Sequence, residues 1–139
     1  MFNQYFENEA VKSEFSKEFV SLWSGWLGKD QYHKLDEVTQ SEWVRFNNLI
    51  KLLAKNCQIA LVDCDSQTVT KVTDIQNTLA SYEESMNKKS SLFSQYIFPE
   101  LGCVFTEEWD YTYIIWHKNN GAIEALEPFI TAAGLYHFR

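Results

Sequence analysis

The aromatic stretch at residues 92–118 constrains the fold of this chain more than any other segment. Its last part, YTYIIWHK at 111–118, consists largely of β-branched and aromatic residues, which is typical of a strand. Side chains alternate along a strand, so both faces of this one would be bulky. The segment therefore predicts a strand that is covered on both sides or that presents aromatic side chains to a partner. One face would carry Tyr111, Tyr113, Ile115 and His117, and the other Thr112, Ile114, Trp116 and Lys118.

Two shorter strands are predicted in the same stretch. Residues 93–98 predict the first, which Pro99 interrupts because proline cannot donate a ladder hydrogen bond. Residues 101–106 predict the second. The residues that connect it to the strand at 111–118, Glu-Glu-Trp-Asp at 107–110, then predict a four-residue hairpin loop.

The N-terminal half shows helical spacing in three segments. Apolar residues recur at steps of three and four in each, which predicts amphipathic helices. The segments are residues 4–27, 40–55 and 66–87. Trp23 and Trp26 lie on the stripe of the first, which predicts core positions, with a recognition face as the alternative. Thr39 and Glu42 fit a capping box at the start of the second. Periodicity cannot decide residues 58–63, where we favour a strand.

A fourth helix and a final strand complete the prediction. Asn119 and Asn120 predict a cap for a helix at 121–133, in which Pro128 predicts a kink or a break. Residues 135–138 predict a last short strand. We interpret all 139 residues as one α+β domain. Its helical N-terminal half would pack on a small, mainly antiparallel sheet from the C-terminal half, in the order β-β-β-α-β.

The charge balance bears on the kind of partner. The chain has a formal net charge of −7 and a sequence pI near 4.9. Nucleic-acid phosphates and anionic membrane surfaces would repel it, whereas a basic protein would be attracted. Acidity for solubility alone is an equally good interpretation. The 5 Trp, 7 Tyr and 10 Phe exceed what a small core needs, which indicates that some form a contact surface.

The cysteines and the start of the chain bear on the compartment. Cys57, Cys64 and Cys103 make an odd set, which is typical of a reducing cytosol and not of a disulfide framework. The first residues lack the basic start and apolar run of a signal peptide. No stretch reaches the roughly 20 apolar residues of a membrane span. We therefore expect a cytoplasmic protein without a membrane partner.

One short segment approaches a catalytic motif. Asp63-Cys64-Asp65 follows a short apolar run and resembles the first motif of haloacid-dehalogenase-type phosphatases, a strand followed by Asp-x-Asp-x-Thr/Val. The resemblance implies a nucleophilic Asp63, an acid–base Asp65 and carboxylate-held Mg²⁺. The match ends at Gln67, and the βαβ alternation of that fold is missing. The competing interpretation is a solvated turn. A small Mg²⁺-dependent phosphatase-like enzyme is thus an alternative function.

Zinc and cysteine chemistry have weaker support. Cys57 and Cys64 are too widely spaced for a zinc knuckle. Cys103 and His117 can meet across adjacent strands as a nucleophile pair, but a buried thiol and a surface imidazole are the simpler prediction. We therefore expect no metal, cofactor or catalytic residue.

The turn after the second strand is the predicted contact surface. Its carboxylates surround a tryptophan, the arrangement in which charges ring an aromatic anchor at protein interfaces. A solvated hairpin tip and a carboxylate pair for acid–base catalysis are the alternatives. The predicted contact residues are Glu107, Glu108, Trp109, Asp110, Tyr111 and Tyr113.

The resulting hypothesis is a non-catalytic protein-binding module. In its composition alone it is similar to bacterial immunity or inhibitor proteins that neutralise a basic toxin or nuclease. A homo-oligomeric structural protein that buries its spare aromatic residues against itself is a further alternative.

Overall fold

The structure, a computed structural model, describes residues 1–87, 89, 93–108 and 110–139. Strands and helices are interspersed along these residues. The strands are β1 (Phe6–Glu7), β2 (Ala10–Val11), β3 (Ser16–Ser21), β4 (Ala60–Asp63), β5 (Thr68–Lys71), β6 (Gln95–Phe98), β7 (Cys103–Glu108), β8 (Thr112–His117) and β9 (Tyr136–Phe138). The helices are α1 (Phe2–Tyr5), α2 (Gln40–Asn56), α3 (Ile75–Thr78), α4 (Tyr82–Asn87) and α5 (Asn120–Ala132), with a 3-10 helix at Lys29–Glu37.

A seven-stranded sheet in the order β5-β4-β6-β7-β8-β3-β9 organises the fold. Each neighbouring pair in it is antiparallel. The α+β class is therefore confirmed, but the predicted division into two halves is wrong. The helices are scattered through the chain, and β3 and β5 come from segments that were expected to be helical.

The strands predicted around the hairpin are present. β6, β7 and β8 pair in sequence, and Glu108 opposite Thr112 is the last pair before the turn. The predicted loop at 107–110 is therefore wrong in its first part, because Glu107 and Glu108 are paired residues of β7. Trp109 lies outside the described residues. Tyr111 has a φ of 57°, the left-handed conformation that commonly ends a three-residue hairpin loop.

Helix α2 covers one face of the sheet and begins at the predicted capping box. Glu42 N donates to Thr39 Oγ1 and Thr39 N donates to Glu42 Oε1, each at 3.2 Å. Its predicted apolar face is buried in the main core. The buried residues are Trp43, Phe46, Leu49, Ile50 and Leu53.

Helix α5 packs beside α2 on the same face. Asn119 caps it as predicted, since its side chain accepts from Ala122 N at 3.2 Å. The helix continues through Pro128, which lies on the exposed side, so the predicted break is absent. Gly134 has a φ of 80°, the conformation of a helix C-cap glycine. Among the described residues, no helix combines the length and apolar character needed to cross a membrane.

The opposite face of the sheet is also covered. At one end an apolar cluster from the N-terminal segment packs on the sheet; its buried members include Phe2, Tyr5, Phe6 and Phe15. β8 therefore has apolar contacts on both faces. Ile115 lies in the core beneath the helices, and Trp116 lies against the N-terminal cluster. The prediction of a strand covered on both sides is confirmed.

Residues 4–27 do not form the predicted helix. They contain β1, β2 and β3, and β3 pairs with β8 on one side and β9 on the other. Because both faces of β3 are covered, apolar residues occur on both, and the period of two that marks a strand is lost. Apolar residues on two faces can then recur at steps of three and four along the sequence, as they do in an amphipathic helix.

Residues 66–87 do not form one helix either. They contain β5, α3 and α4. The β-branched run at residues 68–70 favours a strand, and Asp74 starts α3 by accepting from Gln76 N at 3.1 Å. The strand favoured at residues 58–63 is confirmed as β4.

Candidate functional site

The end of the β7–β8 hairpin lies between two concavities, and the predicted contact residues divide between them. Asp110 lines a groove on one side, and Thr112 lines both concavities. The predicted residues that line the cavity on the α2 side are Glu107, Glu108, Tyr111 and Tyr113. The turn therefore does not present its side chains as one surface.

The cavity on the α2 side is small. Its volume is about 60 Å³, room for a few water molecules. Tyr113 is 6% exposed and packs against Phe46, with ring centroids 5.6 Å apart. Tyr111 packs edge-on against Trp23 at 6.4 Å. Tyr113 is thus a core residue, and its side chain reaches no surface that a partner could contact.

The two glutamates of the hairpin do not converge. Neighbouring residues of a strand point to opposite faces, and the register of β7 against β8 gives Glu107 and Glu108 different faces. Burial raises the pKa of Glu108, and the charges of Asp110 and Glu107 raise it further, against the opposing charge of Lys17. The register therefore directs the side chains of Glu107 and Glu108 to different faces, whereas the charge of Asp110 is near enough to act on Glu108.

The groove on the other side of the hairpin is larger and mainly apolar. Its volume is about 590 Å³, within the usual range of ligand sites. We call it the aromatic groove. Among its described lining residues, Asp110 carries the only formal charge. The lining residues are Ser21, Trp23, Gly25, Trp26, Leu27, Tyr32, Leu35, Asp110 and Thr112.

Two aromatic side chains of the groove face solvent. Trp26 is 57% exposed and Tyr32 is 55% exposed. The inner side of Trp26 is held by edge contacts to Phe19 and Phe138, with centroid distances of 4.6 and 5.2 Å. A large aromatic ring fixed on one side and open on the other is the usual form of an interface anchor. The prediction that Trp26 belongs to the core is wrong.

Strand pairing assembles the groove from distant parts of the chain. Ser21, the last residue of β3, pairs with Thr112, the first residue of β8. This pair sets the segment that follows β3 beside the turn that precedes β8, which brings Trp26 close to Asp110. The sequence did carry one signal for the groove. Gly25 and Gly28 flank Trp26, and glycines weaken a helix, so the end of the predicted helix was a poor assignment.

A buried charge cluster lies on β3 and was not predicted. Glu18 is 1% exposed and faces side chains from β8 and the C-terminus. Its Oε2 lies 3.1 Å from His117 Nε2, and its Oε1 lies 3.1 Å from His137 Nε2 and 2.7 Å from Arg139 Nε. The Arg139 contact is a hydrogen bond. Neither Glu18 Oε2 nor His137 Nε2 finds a hydrogen-bond partner among the described residues, because the ring contacts are close but poorly directed.

The cluster controls the ionisation of Glu18. Burial raises its pKa, but the hydrogen bond from Arg139 and the charges of the neighbouring His137 and His117 outweigh burial, so the net shift is downward. The carboxylate therefore ties β9 and the C-terminus to the sheet in its charged form. Among the described residues no group of three or more His, Cys, Asp or Glu side chains has a geometry that could hold a metal ion.

The Asp63-Cys64-Asp65 segment forms the turn between β4 and β5. Asp63 Oδ1 accepts from Asp65 N at 3.0 Å and from Ser66 N at 3.3 Å, and Gln67 has a φ of 55°. The first aspartate thus caps its own turn. The strand that follows the motif, β5, pairs antiparallel with β4.

Cys103 and His117 have separate environments. Burial, with a smaller contribution from Cys57, raises the pKa of Cys103 to about 12. Both nitrogens of the His117 ring have other neighbours, Nδ1 at 3.0 Å from the carbonyl oxygen of Asn119 and Nε2 beside Glu18. The thiol is therefore neutral near pH 7 and has no imidazole to activate it.

Comparisons of the chain with protein-family models, curated proteins and solved structures gave no significant match. The aromatic groove is therefore assessed from its geometry and chemistry alone.

Proposed function

We propose that this chain is a non-catalytic module that binds a basic partner protein through the aromatic groove. The observation that carries the proposal is the pair of half-exposed aromatic rings, Trp26 and Tyr32, in a groove whose charged lining residue is Asp110. Aromatic side chains at the centre of an interface contribute most of its binding energy. A groove built in this way favours binding over catalysis, because its described lining residues include a single carboxylate and neither a histidine nor a cysteine.

Long-range charge supports the choice of a basic partner. The net charge of −7 attracts a positively charged protein and raises its association rate at low salt. In the finer form of the proposal the module is an immunity or inhibitor protein that neutralises a basic toxin or nuclease in the cytoplasm. The three free cysteines fit a reducing compartment.

The predicted contact residues take different parts in this proposal. Asp110 belongs to the groove itself. Four others line the small cavity and not the groove: Glu107, Glu108, Tyr111 and Tyr113. Trp109 lies outside the described residues.

Two glycines allow a sharp test of the groove. A Cβ added at Gly25 or at Gly28 would meet nothing within 4 Å, so a larger side chain fits at either position. Gly25 lines the groove and Gly28 does not. Gly25→Leu would therefore fill the groove, while Gly28→Leu is a matched control with the same added side chain.

The experiment captures partners from the native host with wild-type protein and both variants, and then repeats binding with the purified partner by calorimetry. We expect a protein of high pI whose binding is lost with Gly25→Leu and kept with Gly28→Leu. Its dissociation constant should also rise with salt. Partners retained equally by both variants would contradict the proposal. Light scattering tests the homo-oligomer alternative, since a dimer broken by Gly25→Leu would identify a second copy as the occupant.

A further inference from the structure

The aromatic groove has the chemistry of a receptor for one cationic side chain. Trp26 and Tyr32 are each more than half exposed, and aromatic rings attract cations that lie over a ring face within about 6 Å of the centroid. Asp110 adds a carboxylate at the same groove. Together they resemble an aromatic cage with one acidic wall, which suits a charged group on an apolar stem.

The chain uses this pairing elsewhere for its own aromatic rings. The Lys17 ammonium lies over Trp116 and the Lys118 ammonium lies over Phe15, each at 4.9 Å from the ring centroid. Among the described residues, no internal cation lies over the ring of Trp26. Trp26 is the most exposed of the described tryptophans, and it has no such cation among the described residues, whereas Trp116 and the buried Phe15 each have one.

The charges around the groove favour a cation from outside. Lys29 and Lys34 belong to the neighbouring 3-10 helix but do not line the groove. Asp36 lies on the same helix, and its negative charge is felt at Tyr111 in the adjoining turn. Among the described lining residues, the one formal charge is therefore the carboxylate of Asp110, which matches a positive ligand.

Resting on the function proposed above, we propose that the groove binds an arginine side chain of the partner protein. The guanidinium would stack on Trp26 or Tyr32 and donate hydrogen bonds to Asp110, and its methylene stem would lie along Leu27 and Leu35. Arginine suits this site better than lysine because its planar group both stacks on rings and pairs with carboxylates.

The test uses N-acetyl-arginine methylamide as the probe and its citrulline analogue as the control. Citrulline keeps the shape of arginine but carries no charge. Each is titrated to millimolar concentrations into ¹⁵N-labelled protein, and the indole N–H signals are followed by NMR. We expect the Trp23 and Trp26 signals to shift with the arginine probe and not with citrulline. Asp110→Asn should weaken the apparent affinity by about fivefold, and Gly28→Leu should leave it unchanged.

Three results would overturn the inference: no shift with arginine, equal shifts with citrulline, or an affinity unaffected by Asp110→Asn. None of these results would by itself refute the proposed function, which the Gly25→Leu variant tests separately. If Gly25→Leu still abolishes partner binding, the groove is the docking site but takes a neutral side chain. If Gly25→Leu has no effect on the partner, the docking proposal fails even where the arginine probe binds.

Discussion

Replacing Glu18 by glutamine should destabilise the fold, and the loss should depend on pH. Glu18→Gln keeps the shape of the side chain and removes its charge. The carboxylate accepts a 2.7 Å hydrogen bond from Arg139 and lies 3.1 Å from each of two histidines. A hydrogen bond to a charged group contributes about 1.5–3 kcal/mol. Because Arg139 is 70% exposed and can be rehydrated, we expect a loss of about 2 kcal/mol.

The pH dependence follows from the direction of the pKa shift. The pKa of Glu18 is lower in the folded state than the ordinary value of 4.5. A carboxylate of this kind contributes stability above its unfolded pKa, and the contribution disappears as the pH falls through the folded pKa. The difference in the free energy of unfolding between wild type and Glu18→Gln should therefore be largest near pH 6 and should decrease below pH 4.5.

Urea denaturation followed by tryptophan fluorescence measures the difference directly. Glu14→Gln is the matched control, because Glu14 also contacts a cation, Lys118, at 3.1 Å, but with both side chains about half exposed. An exposed pair of this kind contributes less than about 1 kcal/mol. Two outcomes would show that burial of this carboxylate does not control the stability of the sheet. One is an equal loss of stability in the two variants near pH 6. The other is a Glu18→Gln loss that persists unchanged in acid.

Two further predictions test the local structure. Thr39→Ala should lower the free energy of unfolding by about 1 kcal/mol, measured by the urea midpoint, because Glu42 N loses its capping acceptor; an unchanged midpoint would contradict the capping box. Native protein treated with a thiol reagent should react at Cys57 and Cys64 and spare Cys103, which is fully buried and has its pKa raised to about 12. Mass spectrometry identifies the labelled sites, and labelling of Cys103 before unfolding would refute its assignment to the core.

The parts of the fold that could be predicted from the sequence are those with local signals. The Thr39 capping box, the apolar face of α2 and the strand at 111–118 are all defined by neighbours a few residues apart. β3 lacked such a signal. Its two covered faces hid the period of two, and it places the carboxylate of Glu18 at a buried position. Burial of the Glu18 carboxylate becomes favourable only through His117, His137 and Arg139, which lie about a hundred residues away in the sequence.

The candidate site was likewise predicted only in part from the sequence. Asp110 was singled out from the acidic turn, and Trp26 was assigned to the core, yet one groove contains both. Their separation in sequence is bridged by the antiparallel pairing of β3 with β8, in which Ser21 lies opposite Thr112. A shift of that register by one residue would reverse the faces and separate the tryptophan from the carboxylate. The groove therefore depends on the pairing of β3 with β8. For this reason the amino-acid composition indicated a contact surface but could not locate it.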